Sequence, residues 1–138
     1  MHFFHRLTAH SSVGLLLLRL SIAAIFLFHG IQKWSMWGLA PSEQMSANML
    51  NLMKCLSIVE PLGGLALLFG FLTQLAAGGL ALIMLGAIYF KQYVWMLGFV
   101  GKNGMVGWEF DLVLLAGCLA LFFLGAGKYS LDHTVTKK

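Results

Sequence analysis

Four long apolar runs constrain this chain more than any other feature of its sequence: Val13 to Phe28, Leu50 to Leu72, Leu75 to Phe90, and Leu112 to Leu124. A helix needs about 20 predominantly apolar residues to cross a bilayer, and each run approaches that length once its flanking residues are added. The alternating polarity of membrane β-strands is absent. Charged residues make up 10 % of the chain, against about 25 % in ordinary soluble domains. The runs therefore predict helices in a membrane.

The order of the runs predicts an all-α fold, a transmembrane four-helix bundle with antiparallel, up-down topology. Thr73 and Gln74 are the only polar residues between the second and third runs, so these two helices are expected to form a tight hairpin. No small-x-small cleavage pattern precedes the polar patch from His29 to Lys33, so the first run is expected to remain as an anchor. The chain is predicted to be a single transmembrane domain over residues 1–138, with helices at about 13–34, 49–72, 75–91 and 109–125.

The charged and metal-ligating residues exclude several classes of protein. The nine Lys and Arg residues are scattered, so the net charge of +4 predicts contact with lipid head groups and not with nucleic acid. Cys55 and Cys118 lie in apolar stretches without ligand spacing, so we expect two buried thiols, no disulfide and no metal site. The lipid bilayer is the partner that this composition predicts.

Four tryptophans mark one end of the expected bundle, which we call the Trp-rich surface. They lie in the two longer connections, as in the aromatic belts of membrane interfaces, at Trp34, Trp37, Trp95 and Trp108. The number of basic residues is the same at the two surfaces: Arg6, Lys128, Lys137 and Lys138 at one, and Lys33, Lys54, Lys91 and Lys102 at the other. If Lys33 and Lys54 face the bundle, the positive-inside rule predicts that both termini are cytoplasmic and the Trp-rich surface periplasmic.

Arg19, Lys54, Glu60 and Glu109 fall within or at the edges of the predicted helices, where an ionised side chain at mid-membrane costs at least about 2.5–3.5 kcal/mol. Residue counting from the ends of the runs puts Arg19 near the middle of the first helix. The same counting puts Glu60 in the second helix at a depth within roughly 5 Å of Arg19. The sequence therefore predicts a buried ion pair between Arg19 and Glu60 near mid-membrane.

A second polar group is expected at the Trp-rich surface. His29, Gln32 and Lys33 end the first helix there, and Glu109 and Asp111 begin the fourth helix at the same surface. One interpretation is that such residues only make interhelical bonds that fix the register of the helices. The other is that they line a polar pocket that binds a ligand or passes protons. The pocket hypothesis assigns this role to five residues: His29, Gln32, Lys33, Glu60 and Glu109.

Three stretches of the chain resemble the DoxX family of bacterial four-helix membrane proteins, from Leu15 to about Asp132. They are LLRLSIAAIFLFHGIQKW, EPLGGLALLFGFLTQLA and GWEFDLVLLAGCLALFFLGAGKYSLD, in the family's order. The shared positions include Arg19, His29, Gly30, Gln32, Lys33, Glu60, Gly63, Gly64, Gly70, Thr73, Glu109, Gly125, Gly127, Tyr129, Ser130 and Asp132. The chain departs from the usual family residues at Ala23, Pro61, Gln74, Ala126 and Lys128.

The resemblance implies a bacterial inner-membrane protein. Some members of the family are linked to quinone-coupled sulfur oxidation, and others to membrane complexes that handle oxidative or thiol stress. By this analogy the chain is expected to be the membrane subunit of a quinone- or thiol-linked oxidoreductase system, with soluble or membrane oxidoreductase partners. No catalytic residue is identified.

Three points stay open at this stage. The sequence contains no haem, flavin or iron–sulfur ligand pattern, so an electron carrier would be a diffusible quinone or would belong to a partner. A small-solute transporter or cargo-binding protein, and a non-catalytic membrane scaffold, are the alternative functions. The oligomeric state is likewise open, and a homo-oligomer is compatible with the sequence.

Overall fold

A computed structural model of the chain describes residues 11–43, 45–102 and 104–136. Within this part of the chain all regular structure is helical, so the predicted all-α class is confirmed. Three basic residues used to predict the orientation, Arg6, Lys137 and Lys138, lie outside it. The helices are α1 Ser11–Gln32, α2 Ala47–Phe69, α3 Thr73–Tyr89, α4 Glu109–Leu124 and the short α5 Leu131–Thr136. A 3₁₀ turn, Lys33–Gly38, follows α1, and a π-helical turn, Phe90–Val94, follows α3.

The four long helices form the predicted bundle. α1 packs along α2 and α3 packs along α4, while α2 and α3 join the two pairs. Three segments are long and apolar enough to cross a membrane: Ser11–Gly38, Ala47–Phe69 and Thr73–Val94. α4 is shorter, at 16 residues, and apolar after its first turn.

The centre of the bundle is closed by side chains from all four long helices. Phe26, Leu67, Leu80 and Leu121 each retain 1 % exposure or less. Cys118 is buried among them, whereas Cys55 is exposed, so the expectation of two buried thiols is wrong for Cys55. The thiol of Cys118 therefore contributes to packing in the core.

α2 ends three residues earlier than the predicted boundary at residue 72. Gly70 adopts a left-handed conformation, with φ of 65°, and its amide donates to the carbonyl groups of Ala66 and Leu67. A glycine in this conformation is a common way to end a helix because it has no Cβ to clash. The α2–α3 connection is consequently only three residues long, from Gly70 to Leu72.

The register of α1 against α2 is set by close approaches at glycines. A Cβ on Gly30 would overlap the ring of Pro61, and a Cβ on Gly70 would lie 2.5 Å from the guanidinium of Arg19. Since Arg19 is eight residues after the start of α1, the first two turns of α1, roughly 12 Å, extend beyond the end of α2. Arg19 is therefore level with the α2–α3 turn and not with the middle of α2.

The C-terminal segment closes this end of the bundle. The Asp132 carboxylate accepts hydrogen bonds from the amides of Leu72, at 2.7 Å, and Thr73, at 2.9 Å. The Asp132 amide donates in turn to the carbonyl oxygen of Gly70 at 2.9 Å. A carboxylate at the N-terminus of α3 satisfies amides that have no partner within the helix and is favoured by the helix dipole. Asp132 thus fastens the end of the chain to the α2–α3 turn.

Candidate functional site

One ion pair joins α2 to the turn that follows α1. The Nζ atom of Lys33 lies 2.5 Å from Oε2 of Glu60, and the two side chains are 20 % and 4 % exposed. Lys33 opens the 3₁₀ turn, while Glu60 lies inside α2 directly before Pro61. Because Gly30 lets the Pro61 ring approach α1, the two charged groups are brought within reach of one another. The pair neutralises a carboxylate that is otherwise buried among apolar helices.

A second ion pair joins α3 to α4 at the same end of the bundle. The Nζ atom of Lys91, in the turn after α3, lies 2.6 Å from Oδ2 of Asp111 in the first turn of α4. The angles at this contact do not suit a hydrogen bond, so Lys91 and Asp111 interact as an ion pair without one. The same ammonium donates to the carbonyl oxygen of Gly107 at 3.3 Å. The two side chains are 15 % and 8 % exposed, so this pair is also largely withdrawn from solvent.

His29 brings the two ion pairs into one site. Its imidazole has all four charged groups as electrostatic neighbours: Lys33, Glu60, Lys91 and Asp111. We call these five residues the charged cluster. The two ion pairs, from four separate helical segments, thus lie at the same end of the bundle as His29.

The histidine ring is exposed, whereas the carboxylates of Glu60 and Asp111 are buried. His29 is exposed, and its ring stacks on Phe110 of α4, with 5.8 Å between ring centroids and 21° between planes. The stack bridges α1 and α4 at the surface of the bundle. The imidazole of His29 can therefore be reached from the seam between α1 and α4.

The predicted pair between Arg19 and Glu60 is wrong. The Arg19 guanidinium donates to the carbonyl oxygens of Ala126 at 2.8 Å and Tyr129 at 2.6 Å, and Glu60 pairs with Lys33 instead. The physical reason is the offset of the helices, because α1 extends about two turns beyond the end of α2. Counting residues from the ends of the apolar runs placed the two charges at one depth, and the register places them at different ones.

The other two residues of the pocket hypothesis lie at the same surface but outside the ion pairs. Gln32 is exposed, and its carbonyl oxygen accepts from the hydroxyl of Ser35 at 3.0 Å. Glu109 is half-buried at the start of α4, and its amide donates to the carbonyl oxygen of Phe99 at 3.2 Å. Among the described residues neither side chain forms an ion pair or hydrogen bond. A role of Gln32 and Glu109 in binding a ligand stays a prediction.

The pocket hypothesis missed two residues of the charged cluster: Lys91, and Asp111, which was placed at the same surface but not among the five pocket residues. Lys91 follows the third apolar run directly, and Asp111 stands at the start of the fourth run. In an up-down bundle the end of one helix and the beginning of the next share a surface. That rule, applied to the opposite charges of Lys91 and Asp111, could have identified the second ion pair.

An apolar groove lies between α2 and the 3₁₀ turn that follows α1. It has a volume of about 570 Å³ and is lined by Trp34, Trp37, Ser57, Ile58, Pro61, Leu62 and Leu65. The indole N–H of Trp34 donates to the Ser57 carbonyl and that of Trp37 to the Ser57 hydroxyl, both at 2.9 Å. These bonds fix both tryptophans of the first connection against α2.

Comparison with known proteins places the geometry in a family context. The family model described as DoxX matches residues 14–92. The chain is 30 % identical over 142 residues to the uncharacterized membrane protein Rv3486 of Mycobacterium tuberculosis (strain ATCC 25618 / H37Rv), covering 96 % of this chain and 87 % of that protein. No solved structure matches the chain significantly. The matched region contains four of the five residues of the charged cluster, all except Asp111.

Proposed function

We propose that this chain, which belongs to the DoxX family, is the membrane subunit of a quinone- or thiol-linked oxidoreductase system, and that its charged cluster binds the head group of a quinone. The bilayer would then deliver the substrate, since a quinone diffuses in the membrane. A partner oxidoreductase, soluble or membrane-bound, would supply the electrons.

The observation that carries this proposal is the exposed imidazole of His29 at the end of the bundle that contains two largely buried ion pairs. A quinone head group is a flat ring with carbonyl oxygens at its edge. The seam between α1 and α4 offers stacking partners in His29 and Phe110. The imidazole and the Lys33 ammonium provide N–H donors for a carbonyl oxygen. Such a combination of apolar walls and a few convergent polar groups is typical of small-molecule sites.

The chemistry requires protons as well as electrons. Reduction of a quinone to a quinol takes up two electrons from the partner and two protons, one on each carbonyl oxygen. His29 would deliver one of these protons at the exposed side of the cluster and regain it from water. The carboxylates of Glu60 and Asp111 would relay the second proton, and ionisable groups within membrane helices commonly have such roles. The paired lysines keep the resting cluster electrically neutral.

Binding of a short-chain quinone to the purified protein tests this proposal. We expect His29→Phe to weaken binding about tenfold, because it keeps an aromatic ring but removes the N–H donor, a loss of about 1.4 kcal/mol. The ring is exposed, so the fold should survive the change. Lys102→Met, at an exposed loop lysine of the same surface, is the control and should bind the quinone as the wild type does.

A variant with the cluster neutralised separates the remaining outcomes. The double substitution Lys33→Met with Glu60→Gln removes one ion pair without stranding a charge. If this variant and His29→Phe both fold and both bind quinone with wild-type affinity, the charged cluster is not the site. A scaffold function would then be favoured.

A further inference from the structure

A lysine lies on α2 next to one end of the groove that Trp34 and Trp37 line. Lys54 precedes Ile58, Pro61 and Leu65 on α2 at spacings of four, seven and eleven residues, so all four lie on one face of the helix. The last three line the groove. Lys54 therefore lies at one end of the groove, about one helical turn before Ile58.

Among the residues that the structure describes, the Lys54 ammonium has no acidic partner. It lies 6.0 Å from the centroid of the Trp37 ring, a distance at which a cation interacts with an aromatic face. The two ion pairs found in the described residues are those of the charged cluster, and neither includes Lys54. The lysine is only partly exposed. A partly buried cation beside an interfacial tryptophan is complementary to an anion.

The distance along α2 from Lys54 to the far end of the groove matches the thickness of one leaflet of the bilayer core. From Lys54 to Leu65 the helix rises about 16 Å, and half of the hydrocarbon core is about 15 Å. Ile58, Leu62 and Leu65 are 48 %, 60 % and 42 % exposed, so the groove is open along its side. A chain that enters from the membrane can therefore lie in it over its full length.

From this geometry we infer that the groove between α2 and the 3₁₀ turn binds an anionic phospholipid, with the phosphate at Lys54 and an acyl chain against Ile58, Pro61 and Leu65. Basic residues next to membrane helices recognise anionic head groups in this manner. The site lies on α2 and the 3₁₀ turn, whereas the proposed quinone site opens between α1 and α4. The two sites are distinct and can be tested separately.

Native mass spectrometry of the full-length protein tests the lipid site. The protein is titrated with phosphatidylglycerol and with phosphatidylcholine that carry identical acyl chains. We expect preferential retention of phosphatidylglycerol. Lys54→Met should weaken its binding about fivefold, the contribution expected from one lysine at an anionic lipid surface. Lys102→Met, the matched lysine of an exposed loop, should leave the affinity within about twofold.

A second variant tests the acyl-chain part of the site without changing any charge. Ile58→Trp fills the groove from an exposed position, and we expect it to reduce retention of both lipids. Equal retention of the two lipids by the wild type, or equal effects of Lys54→Met and Lys102→Met, would overturn the inference. A change from dimer to monomer in Ile58→Trp would also overturn it, because a second copy of the chain would then occupy the groove.

Discussion

Glu60 is the residue on which the charged cluster depends most. Its side chain is 4 % exposed and forms an ion pair with the ammonium of Lys33. Glu60→Ala should therefore destabilise the protein by about 2–4 kcal/mol, somewhat below the cost of breaking a fully buried pair, because Lys33 keeps some solvent contact. A melting curve in detergent measures the loss. Lys33→Met combined with Glu60→Gln should be milder than Glu60→Ala, and a double variant at least as unstable would argue against the pair.

Arg19 provides an independent test of the helix register. Arg19→Met removes hydrogen bonds to the carbonyl oxygens of Ala126 and Tyr129 and should cost about 2–4 kcal/mol, since bonds to charged donors contribute more than neutral ones. Because Glu60 belongs to a different group of residues, the effects of Arg19→Met and Glu60→Gln should add within about 0.5 kcal/mol. A double-mutant cycle in detergent checks this. A coupling energy above about 1 kcal/mol would mean that Arg19 and Glu60 do interact.

At the scale of the helices, Gly30 determines how closely α1 and α2 approach. A methyl group at Gly30 would overlap the Pro61 ring, so Gly30→Ala should push the helices apart and destabilise the fold by about 1–3 kcal/mol. Gly86→Ala is the matched control on α3, where nothing lies within 4 Å of the added carbon. It should be neutral or stabilising by up to about 1 kcal/mol. Thermal melting of both variants measures the difference, and equal melting temperatures would contradict the close approach.

The C-terminal segment depends on the bonds of Asp132 to the start of α3. Asp132→Ala should remove about 1–2 kcal/mol of helix capping and loosen the segment that contains the exposed Lys128. Faster tryptic cleavage after Lys128 in proteoliposomes would report this loosening. Asp132→Asn keeps an oxygen acceptor and should be cleaved at an intermediate rate. Unchanged cleavage of Asp132→Ala would show that the segment is held by other contacts.

The helices could be predicted from the sequence because lipid demands long apolar runs, and the polar residues at the Trp-rich surface because they interrupt those runs. The partners of the charges could not be predicted in the same way. They depend on the offset between α1 and α2, which is set by the contact of Gly30 with Pro61, and a count from the ends of apolar runs contains no information on that contact. Lys91 was missed for a different reason: it ends the predicted third helix at the surface where Asp111 begins the fourth, and these two opposite charges were not paired.

For the whole molecule, the structure changes which cations bear on its orientation. Lys33 and Lys91 are held in ion pairs, which leaves Lys54 and Lys102 as the lysines without a carboxylate partner among the described residues of the Trp-rich surface. Two such residues face the four basic residues predicted for the opposite surface, so the positive-inside rule still predicts cytoplasmic termini. A C-terminal alkaline phosphatase fusion should be inactive and a C-terminal green fluorescent protein fusion fluorescent. The reverse pattern would invert the orientation.

Photolabelling with an azido-quinone tests the central claim, that the charged cluster is a quinone site, most directly. The reagent is added to the protein in native membranes, and labelled peptides are identified by mass spectrometry. The account predicts that labelling is suppressed by excess unlabelled quinone and maps to the peptides around His29 and Phe110, at the seam between α1 and α4. Labelling that is not suppressed by excess quinone, or that maps only to the groove lined by Trp34 and Trp37, would contradict it.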